Sequence, residues 1–185
     1  MGATATVALR EYGPEILGLL LAVLRNDEDA AEVYAQFCED LWAGLPRFRW
    51  ESSLRTWGYV LARHAIHAFR RDPHRRRRVG LSKHPELEEI EARARTTTLI
   101  CLRSETKNRI KHLRESLSPD DQMLLILRVD RQMAWNDIAM VMGQGTASAD
   151  LARSVAALRK RFERVKERLR MLVASGDVAR DAHAT

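Results

Sequence analysis

Apolar residues recur along this chain at the three- to four-residue spacing of an amphipathic helix, whereas the alternation typical of a β-strand is hard to find. Three such stretches follow one another in the first part of the chain. The first carries an apolar stripe made of Leu9, Tyr12, Ile16, Leu19, Leu20, Val23 and Leu24. The second covers about 28–44, and the third begins at a capping serine, Ser52 or Ser53, and ends near Arg71. The pattern predicts a three-helix unit.

The same periodicity returns near the other end of the chain, where it predicts a second helical unit. Four helices are expected there, over about 99–117, 119–129, 134–142 and 147–174. The second of them has a strong start signal, because Ser118 can cap it and Pro119 suits the first helical position. Gly143 is expected to end the third.

We therefore expect an all-α protein of two small helical domains. Residues 1–72 form the first domain, 73–97 a linker, 98–175 the second domain and 176–185 a frayed tail. An unbroken arginine run at 75–78 and the helix breakers Gly80 and Pro85 set the linker apart. In the second domain, a short helix, a turn at 143–147 and a long helix together are typical of a helix-turn-helix, whose second helix enters the DNA major groove.

Composition excludes several classes of protein. The chain has 185 residues, of which 45% are hydrophobic, which is too many for a disordered protein. Cys38 and Cys101 are too far apart for a disulfide framework or a zinc ribbon, so we expect a reducing compartment, with Cys38 packed as a free thiol. The longest apolar stretch, 16–24, is far shorter than the ~20 residues that span a bilayer. We expect no membrane span, no signal peptide and a cytoplasmic location.

The net charge of +6 is unevenly distributed. Residues 26–46 hold six acidic side chains and no lysine or arginine, whereas 63–78 hold seven arginines, three histidines and one acid. A third stretch, 153–170, holds eight basic residues against two glutamates. A single charge run is most often a solvated face. Two basic faces in separate units, joined by a basic linker, instead suggest two contacts along one nucleic acid.

A loop rich in aromatic and basic residues joins the second and third helices. Aromatic faces stack on unpaired bases, and arginines follow the phosphate backbone. Phe48 and Trp57 can also be core residues, and Trp57 shares the apolar stripe of Leu54, so the core is favoured for Trp57. Trp50 is harder to bury because Arg49 and Glu51 flank it, and we expect it to be functional.

Three segments resemble the extracytoplasmic-function (group 4) sigma factors of bacterial RNA polymerase, in the right order and over roughly 8–172. Residues 48–71, FRWESSLRTWGYVLARHAIHAFRR, are similar to the family's FRGESSFRTWLYRIARN segment. Residues 29–42, DAAEVYAQFCEDLW, and 117–143, LSPDDQMLLILRVDRQMAWNDIAMVMG, are similar to its second helix and to its promoter-distal domain. The resemblance implies a sigma factor that binds core polymerase, recognises −10 and −35 elements and helps to melt the DNA at −10.

The resemblance also assigns roles to individual residues. The expected contacts with core polymerase are Asp29, Glu32, Gln36 and Trp42. The expected contacts with the −10 region are Arg47, Phe48, Arg49, Trp50, Ser52, Ser53, Arg55, Arg63, His64, His67, Arg70 and Arg71. The expected contacts with the −35 region are Ser148, Arg153, Arg159, Lys160 and Arg161. The implied partners are core RNA polymerase, promoter DNA in double-stranded and melted form, and an anti-sigma factor.

The chain departs from the family pattern at several of these positions. Trp50 replaces the usual glycine of the loop that holds a flipped base. His64 and His67 stand where asparagine and aspartate are commoner, and Ala35-Gln36 replaces Gln-Glu. The family's Lys-Ser-Arg cluster after Gly143 is absent.

Metal binding and catalysis are less consistent with the residues. His64 and His67 share a helical face, but their arginine neighbours repel a cation, so we expect no metal site. Asp120 and Asp121 are better explained by helix capping than by catalysis, and we expect neither enzymatic activity nor a cofactor. Two alternatives remain: a sigma-like helical adaptor that binds a protein partner without recognising a promoter, and a stand-alone helix-turn-helix repressor.

Overall fold

The computed structural model describes the backbone of residues 2–71, 116–143 and 148–181 and the side chains of 6–71, 116–143 and 150–175. Within these ranges the chain forms six α-helices and no β-strand, which confirms the all-α prediction. The helices are α1 (Gly2–Leu24), α2 (Asp27–Gly44), α3 (Leu54–Arg71), α4 (Pro119–Leu125), α5 (Trp135–Val141) and α6 (Ser148–Asp181). None of the described helices combines the length and the apolar character needed to cross a bilayer.

The described residues fall into two compact units. One contains 2–71 together with 140–143, and the other contains 116–139 and 148–181. The predicted linker at 73–97 lies outside the described residues, as does the helix predicted from Leu99, apart from Ser116 and Leu117, which form a turn. The exact domain limits therefore stay predictions.

In the first unit, α1, α2 and α3 each pack against the other two. The apolar stripe predicted for α1 forms its buried side, with Leu9, Ile16, Leu19, Leu20 and Val23 almost fully covered. Phe37 and the Cys38 thiol come from α2, and Tyr59 and Ile66 come from α3. Burying such side chains contributes about 1.5–3 kcal/mol each, so this shared interior is what holds the three helices together.

Side-chain caps fix where the helices of this unit begin. The Asn26 side chain accepts a hydrogen bond from the Asp29 N–H at 2.9 Å at the start of α2. Of the two serines that could cap α3, the structure uses Ser53, whose Oγ accepts from the Thr56 N–H at 3.0 Å. After α2, a 3-10 turn, Leu45–Arg47, leads into the loop before α3. We call residues 47–53 the α2–α3 loop.

The second unit begins at the predicted cap. The Ser118 Oγ accepts from the Asp121 N–H at 3.2 Å, and Pro119 is the first residue of α4. After α4, Ile126–Asp130 forms a π-helical turn, whereas the sequence predicted an α-helix as far as 129. As predicted, α5 ends before Gly143, which has a φ of 71°.

The last helix is longer than the sequence pattern indicated. It continues to Asp181, past the end predicted at Ala174, so residues 176–181 are helical where the sequence predicted a tail. The apolar periodicity stops near 174, but no proline interrupts the segment that follows. A single glycine, Gly176, costs only about 1 kcal/mol in a helix interior and does not end it.

Candidate nucleic-acid interface

One face of α3 carries five basic residues that were predicted to contact the −10 region. Helical geometry places Arg63, His64, His67, Arg70 and Arg71 within about 120° of one another, at 100° per residue, on the side away from the buried residues of α3. His64, Arg70 and Arg71 are exposed, and Arg63 and His67 are half-buried. We call these five residues the basic face. The structure thus brings together what the sequence predicted for this helix.

The basic face is linked to the neighbouring helix through Arg70. The Arg70 guanidinium donates to the Val23 carbonyl oxygen, near the end of α1, at 3.3 Å. Among the side chains that the structure describes, no group of three histidine, cysteine or acidic residues is arranged to hold a metal ion.

Three aromatic rings, Trp50, Phe48 and Trp57, lie side by side between the α2–α3 loop and α3, and we call them the aromatic ladder. The ring centres of Phe48 and Trp57 are 4.8 Å apart at an angle of 28°, and those of Phe48 and Trp50 are 4.9 Å apart at 56°. Phe48 and Trp57 are half-buried, whereas Trp50, at the outer end, is 70% exposed. The expectation that Trp50 is not a core residue is therefore confirmed.

The inner end of the ladder rests on α2. A Cβ added to Gly44 would lie 2.9 Å from Cζ2 of Trp57, so the missing side chain at Gly44 makes room for that indole. In the sequence, Gly44 marks only the end of a predicted helix. Its role beside Trp57 depends on a contact between two helices, and no local pattern signals it.

Trp50 adopts a left-handed backbone conformation, with a φ of 59°. Such a conformation costs a residue with a Cβ roughly 1–2 kcal/mol, and glycine avoids most of that cost. The family motif has glycine at this position, so the loop keeps a backbone suited to glycine while it carries an indole.

Three other residues predicted to contact the −10 region have structural partners. The Ser53 Oγ caps α3, and the Ser52 hydroxyl donates to the Ser53 carbonyl oxygen at 3.3 Å. Arg55 forms a two-pronged ion pair with Glu15, with Nε to Oε1 at 2.7 Å and Nη2 to Oε2 at 2.9 Å. The hydrogen bond with Glu15 raises the pKa of Arg55 above its ordinary value. Arg47 and Arg49 are exposed.

On α2, three of the four residues predicted to bind core polymerase share one stripe. Asp29, Glu32 and Gln36 follow the three- and four-residue steps of a helix face and are half-buried. Gln36 donates to the Asp40 carboxylate at 2.9 Å on the same stripe. Trp42 is 46% exposed but lies about 120° around the helix from Gln36. The structure therefore does not bring Trp42 into this stripe.

In the second unit, Arg161 is held by an acidic partner. Its Nε lies 2.6 Å from Oδ1 of Asp121, which links α6 to α4. Partial burial alone would raise the pKa of Asp121, but hydrogen bonds from Ser118 and Arg161 outweigh it and lower that pKa below its ordinary value. Arg161 was predicted to contact the −35 region; the structure gives it a structural partner, and the DNA contact stays a prediction.

Two guanidinium groups lie over the Trp135 indole, which sequence reasoning had not connected with the basic residues. Cζ of Arg128 is 5.0 Å and Cζ of Arg159 is 5.7 Å from the ring centre. The ring centres of Trp135 and Phe162 are 5.6 Å apart, at an angle of 76°. Arg128 also donates to the Met133 carbonyl oxygen at 2.8 Å. Arg128 was missed because it stands in the π-helical turn after α4, in a mostly apolar stretch outside the basic run of 153–170.

The other residues predicted for the −35 region lie along α6. Ser148 is the first residue of the helix, and its side chain is outside the described part. Arg153 is exposed, with Nη1 3.5 Å from Oδ1 of Asp150, and Lys160 is exposed. Arg159 follows Ser148 by about three helical turns, or roughly 16 Å along the axis.

Comparison with known proteins places these features in a family context. Residues 8–77 match the family described as sigma-70 region 2, a span that includes the α2–α3 loop and the basic face. The chain is 27% identical over 170 residues to the RNA polymerase sigma factor YlaC of Bacillus subtilis (strain 168), with 88% of this chain and 94% of that protein covered. Its fold resembles that of the sigma factor RpoE from Bartonella quintana, solved in complex with the anti-sigma factor NepR. That likeness has a TM-score of 0.63 at 16% identity and covers 90% of this chain and 94% of the solved chain.

Proposed function

Because the chain belongs to the sigma-70 family of RNA polymerase sigma factors, in the extracytoplasmic-function group that its motifs indicated, we propose that it binds core RNA polymerase and directs promoter-specific transcription initiation. The single observation that carries this proposal is the position of the α2–α3 loop directly before α3, the helix that carries the basic face, with both inside the span that matches region 2. An exposed indole and a row of cationic side chains are thereby presented by one short segment.

The first unit contacts the −10 region in two ways. Side chains of the basic face neutralise phosphates of the duplex, which gives affinity that falls as salt rises. The α2–α3 loop, with Trp50 exposed at its tip, takes up a base that has left the stack. Melting then needs no ATP, because captured bases offset the few kcal/mol that unstacking costs.

The second unit contacts the −35 region through α6. Residues near the N-terminus of a recognition helix reach base edges, so Ser148 and Arg153 are the candidates for reading sequence. Arg159 and Lys160 lie further along the helix and suit phosphate contacts. Arg161 serves mainly to hold α6 against α4 through Asp121.

The stripe of α2 made of Asp29, Glu32 and Gln36 is the proposed docking surface for core polymerase, and Trp42, on a different side of the helix, is a separate contact. A third partner is an anti-sigma factor. This part of the proposal is supported by the likeness to RpoE, which was crystallised with one.

The proposed role requires no catalytic residue and no cofactor in this chain, because the polymerase carries out the chemistry. A protein that works with core polymerase acts where that enzyme transcribes, in the cytoplasm.

The proposal is tested with holoenzyme reconstituted from core polymerase and the full chain. We expect it to retard a fork-junction promoter, chosen by binding-site selection, and the complex to dissolve as salt rises. Replacing Arg63 and Arg71 with alanine removes two phosphate contacts and lowers the slope of log affinity against log salt by about 2. Arg10→Ala, which removes an exposed arginine of α1, is the matched control and leaves the slope unchanged.

Two results would contradict the proposal. Firm binding to polymerase without any preference for promoter DNA would identify an adaptor. Tight binding to duplex DNA without polymerase would identify a stand-alone repressor.

A further inference from the structure

The indole of Trp50 is exposed to solvent on its outer side and contacts Phe48 on its inner side. It is 70% exposed, yet its ring centre lies 4.9 Å from that of Phe48. An exposed tryptophan on a flexible chain would lose much of its freedom on binding a planar ligand. Here the neighbouring ring already restricts the indole, so less freedom remains to be lost.

The support extends into the helices. Phe48 rests on Trp57, which in turn occupies the space left beside Gly44. The start of α3 is fixed by the Ser53 cap, four residues before Trp57. The outer ring is thus the exposed end of the aromatic ladder, which continues into the packed part of the unit.

Resting on the proposed function, we propose that Trp50 is a stacking platform for one unpaired promoter base, and that it accepts all four bases at that position. Every base offers a π-face to an indole, so stacking does not depend on the pattern of hydrogen-bonding groups at the base edge. A pocket that selects one base must instead present hydrogen-bonding groups to that edge.

The neighbouring hydroxyl groups support this assignment. The Ser53 Oγ is used by the Thr56 N–H and lies 2.8 Å from the Thr56 hydroxyl. The Ser52 hydroxyl is directed to the Ser53 carbonyl oxygen. Both serines therefore contribute to the start of α3, and Trp50 is a large apolar side chain exposed between the charged residues Arg49 and Glu51.

The left-handed backbone at Trp50 is the conformation that suits the glycine of the family motif, but this chain carries an indole there. Glycine at the same φ would place no ring beside Phe48, whereas tryptophan adds an outer ring, tilted by 56° to that of Phe48. Tryptophan in place of glycine therefore puts an aromatic surface where the family motif leaves space. Trp50 is on this account a specificity-determining residue, because it relaxes the choice of base at one position.

The test uses fork-junction templates in which each unpaired position of the −10 non-template strand carries 2-aminopurine in turn, bound by reconstituted holoenzyme. Stacking quenches this fluorophore, so wild type should quench it most strongly at one position. At that position an abasic site should weaken binding about 5- to 150-fold, the range expected for one stacked base, while the four natural bases agree within about threefold.

Variants distinguish the effect of the Trp50 ring from that of the residues that support it. Trp50→Ala should abolish the quenching, and Trp50→Phe should keep part of it. Gly44→Ala, which pushes on Trp57 without removing a ring, should weaken it as well. Met171→Ala removes an exposed apolar side chain of α6 and is the control that leaves the quenching unchanged.

The possible failures are distinguishable. If wild-type holoenzyme binds none of the templates, both the proposed function and this inference are wrong. If it binds them but prefers one base more than tenfold at the quenched position, or if Trp50→Ala quenches like wild type, the stacking platform is overturned and the proposed function stands.

Discussion

Arg55 and Glu15, forty positions apart, hold α3 against α1 through two hydrogen bonds of 2.7 and 2.9 Å between their side chains. The side chains are 32% and 17% exposed, so the pair is partly shielded from water. Arg55 lies in the segment most similar to the family and carries a positive charge, two properties that pointed to DNA. Its geometry instead gives it a role in joining helices.

Replacing Arg55 with methionine should therefore lower stability more than it changes DNA contacts. We expect a loss of about 1–2 kcal/mol, because a two-pronged charged pair is lost at a partly buried site. Glu15→Gln should cost a similar amount, and the double variant should cost less than the sum of the two. Urea unfolding measures this, with the exposed Arg49→Ala as control. Unchanged stability of Arg55→Met would contradict the structural role.

Asp121 should make stability depend on pH. Since its pKa is lowered in the folded chain, it contributes stability that is fully present above its ordinary pKa and is lost as the pH falls through the lowered value. Asp121→Asn should be less stable than wild type by about 1 kcal/mol at pH 7. This difference should shrink below about pH 5 and vanish once Asp121 is protonated in the folded chain.

The measurement is urea unfolding of both proteins over a pH series. Asp120→Asn is the matched control, because Asp120 stands in the same turn and takes no part in the hydrogen bonds from Ser118 and Arg161. A difference between Asp121→Asn and wild type that stays constant down to acidic pH would show that the ionised carboxylate is not what stabilises the unit.

Arg161 and its neighbour Lys160 should behave differently although both are basic. Arg161→Ala removes the partner of Asp121 and should cost about 1 kcal/mol of stability. Lys160→Ala alters an exposed side chain and should stay within about 0.5 kcal/mol of wild type. Thermal unfolding of the two variants tests this, and equal effects would mean that the pairing of Arg161 with Asp121 contributes nothing.

The backbone at Trp50 leads to a comparison of two small residues. Trp50→Gly and Trp50→Ala both remove the indole, but only glycine adopts a φ near 59° at little cost. The glycine variant should therefore be more stable than the alanine variant by about 1 kcal/mol. Chemical unfolding of the pair checks this. An alanine variant as stable as the glycine variant would show that the loop does not hold this conformation.

The starts of the helices were predictable because they depend on local chemistry. Ser53 and Ser118 cap the helices that follow them, and Gly143 ends α5 where the sequence indicated. The basic face was predictable for a similar reason, since the period of a helix fixes which residues share a side.

Other features depend on contacts between distant parts of the chain. Glu15 and Asp121 each meet an arginine forty positions away, and no spacing rule connects such pairs. The charge of Arg161 was visible in the sequence, but its partner was not. The end of α6 at Asp181 was missed because helix propagation does not require an apolar stripe, and the left-handed Trp50 was missed because only glycine usually signals that conformation.

The account stands on the claim that this chain makes core polymerase start transcription at chosen sites. The most direct test is transcription of fragmented genomic DNA from the source organism by core polymerase with and without the chain, with the 5′ ends of the RNA mapped. We expect start sites that appear only when the chain is present and that share a two-part upstream sequence. Identical 5′ ends with and without the chain would contradict the account.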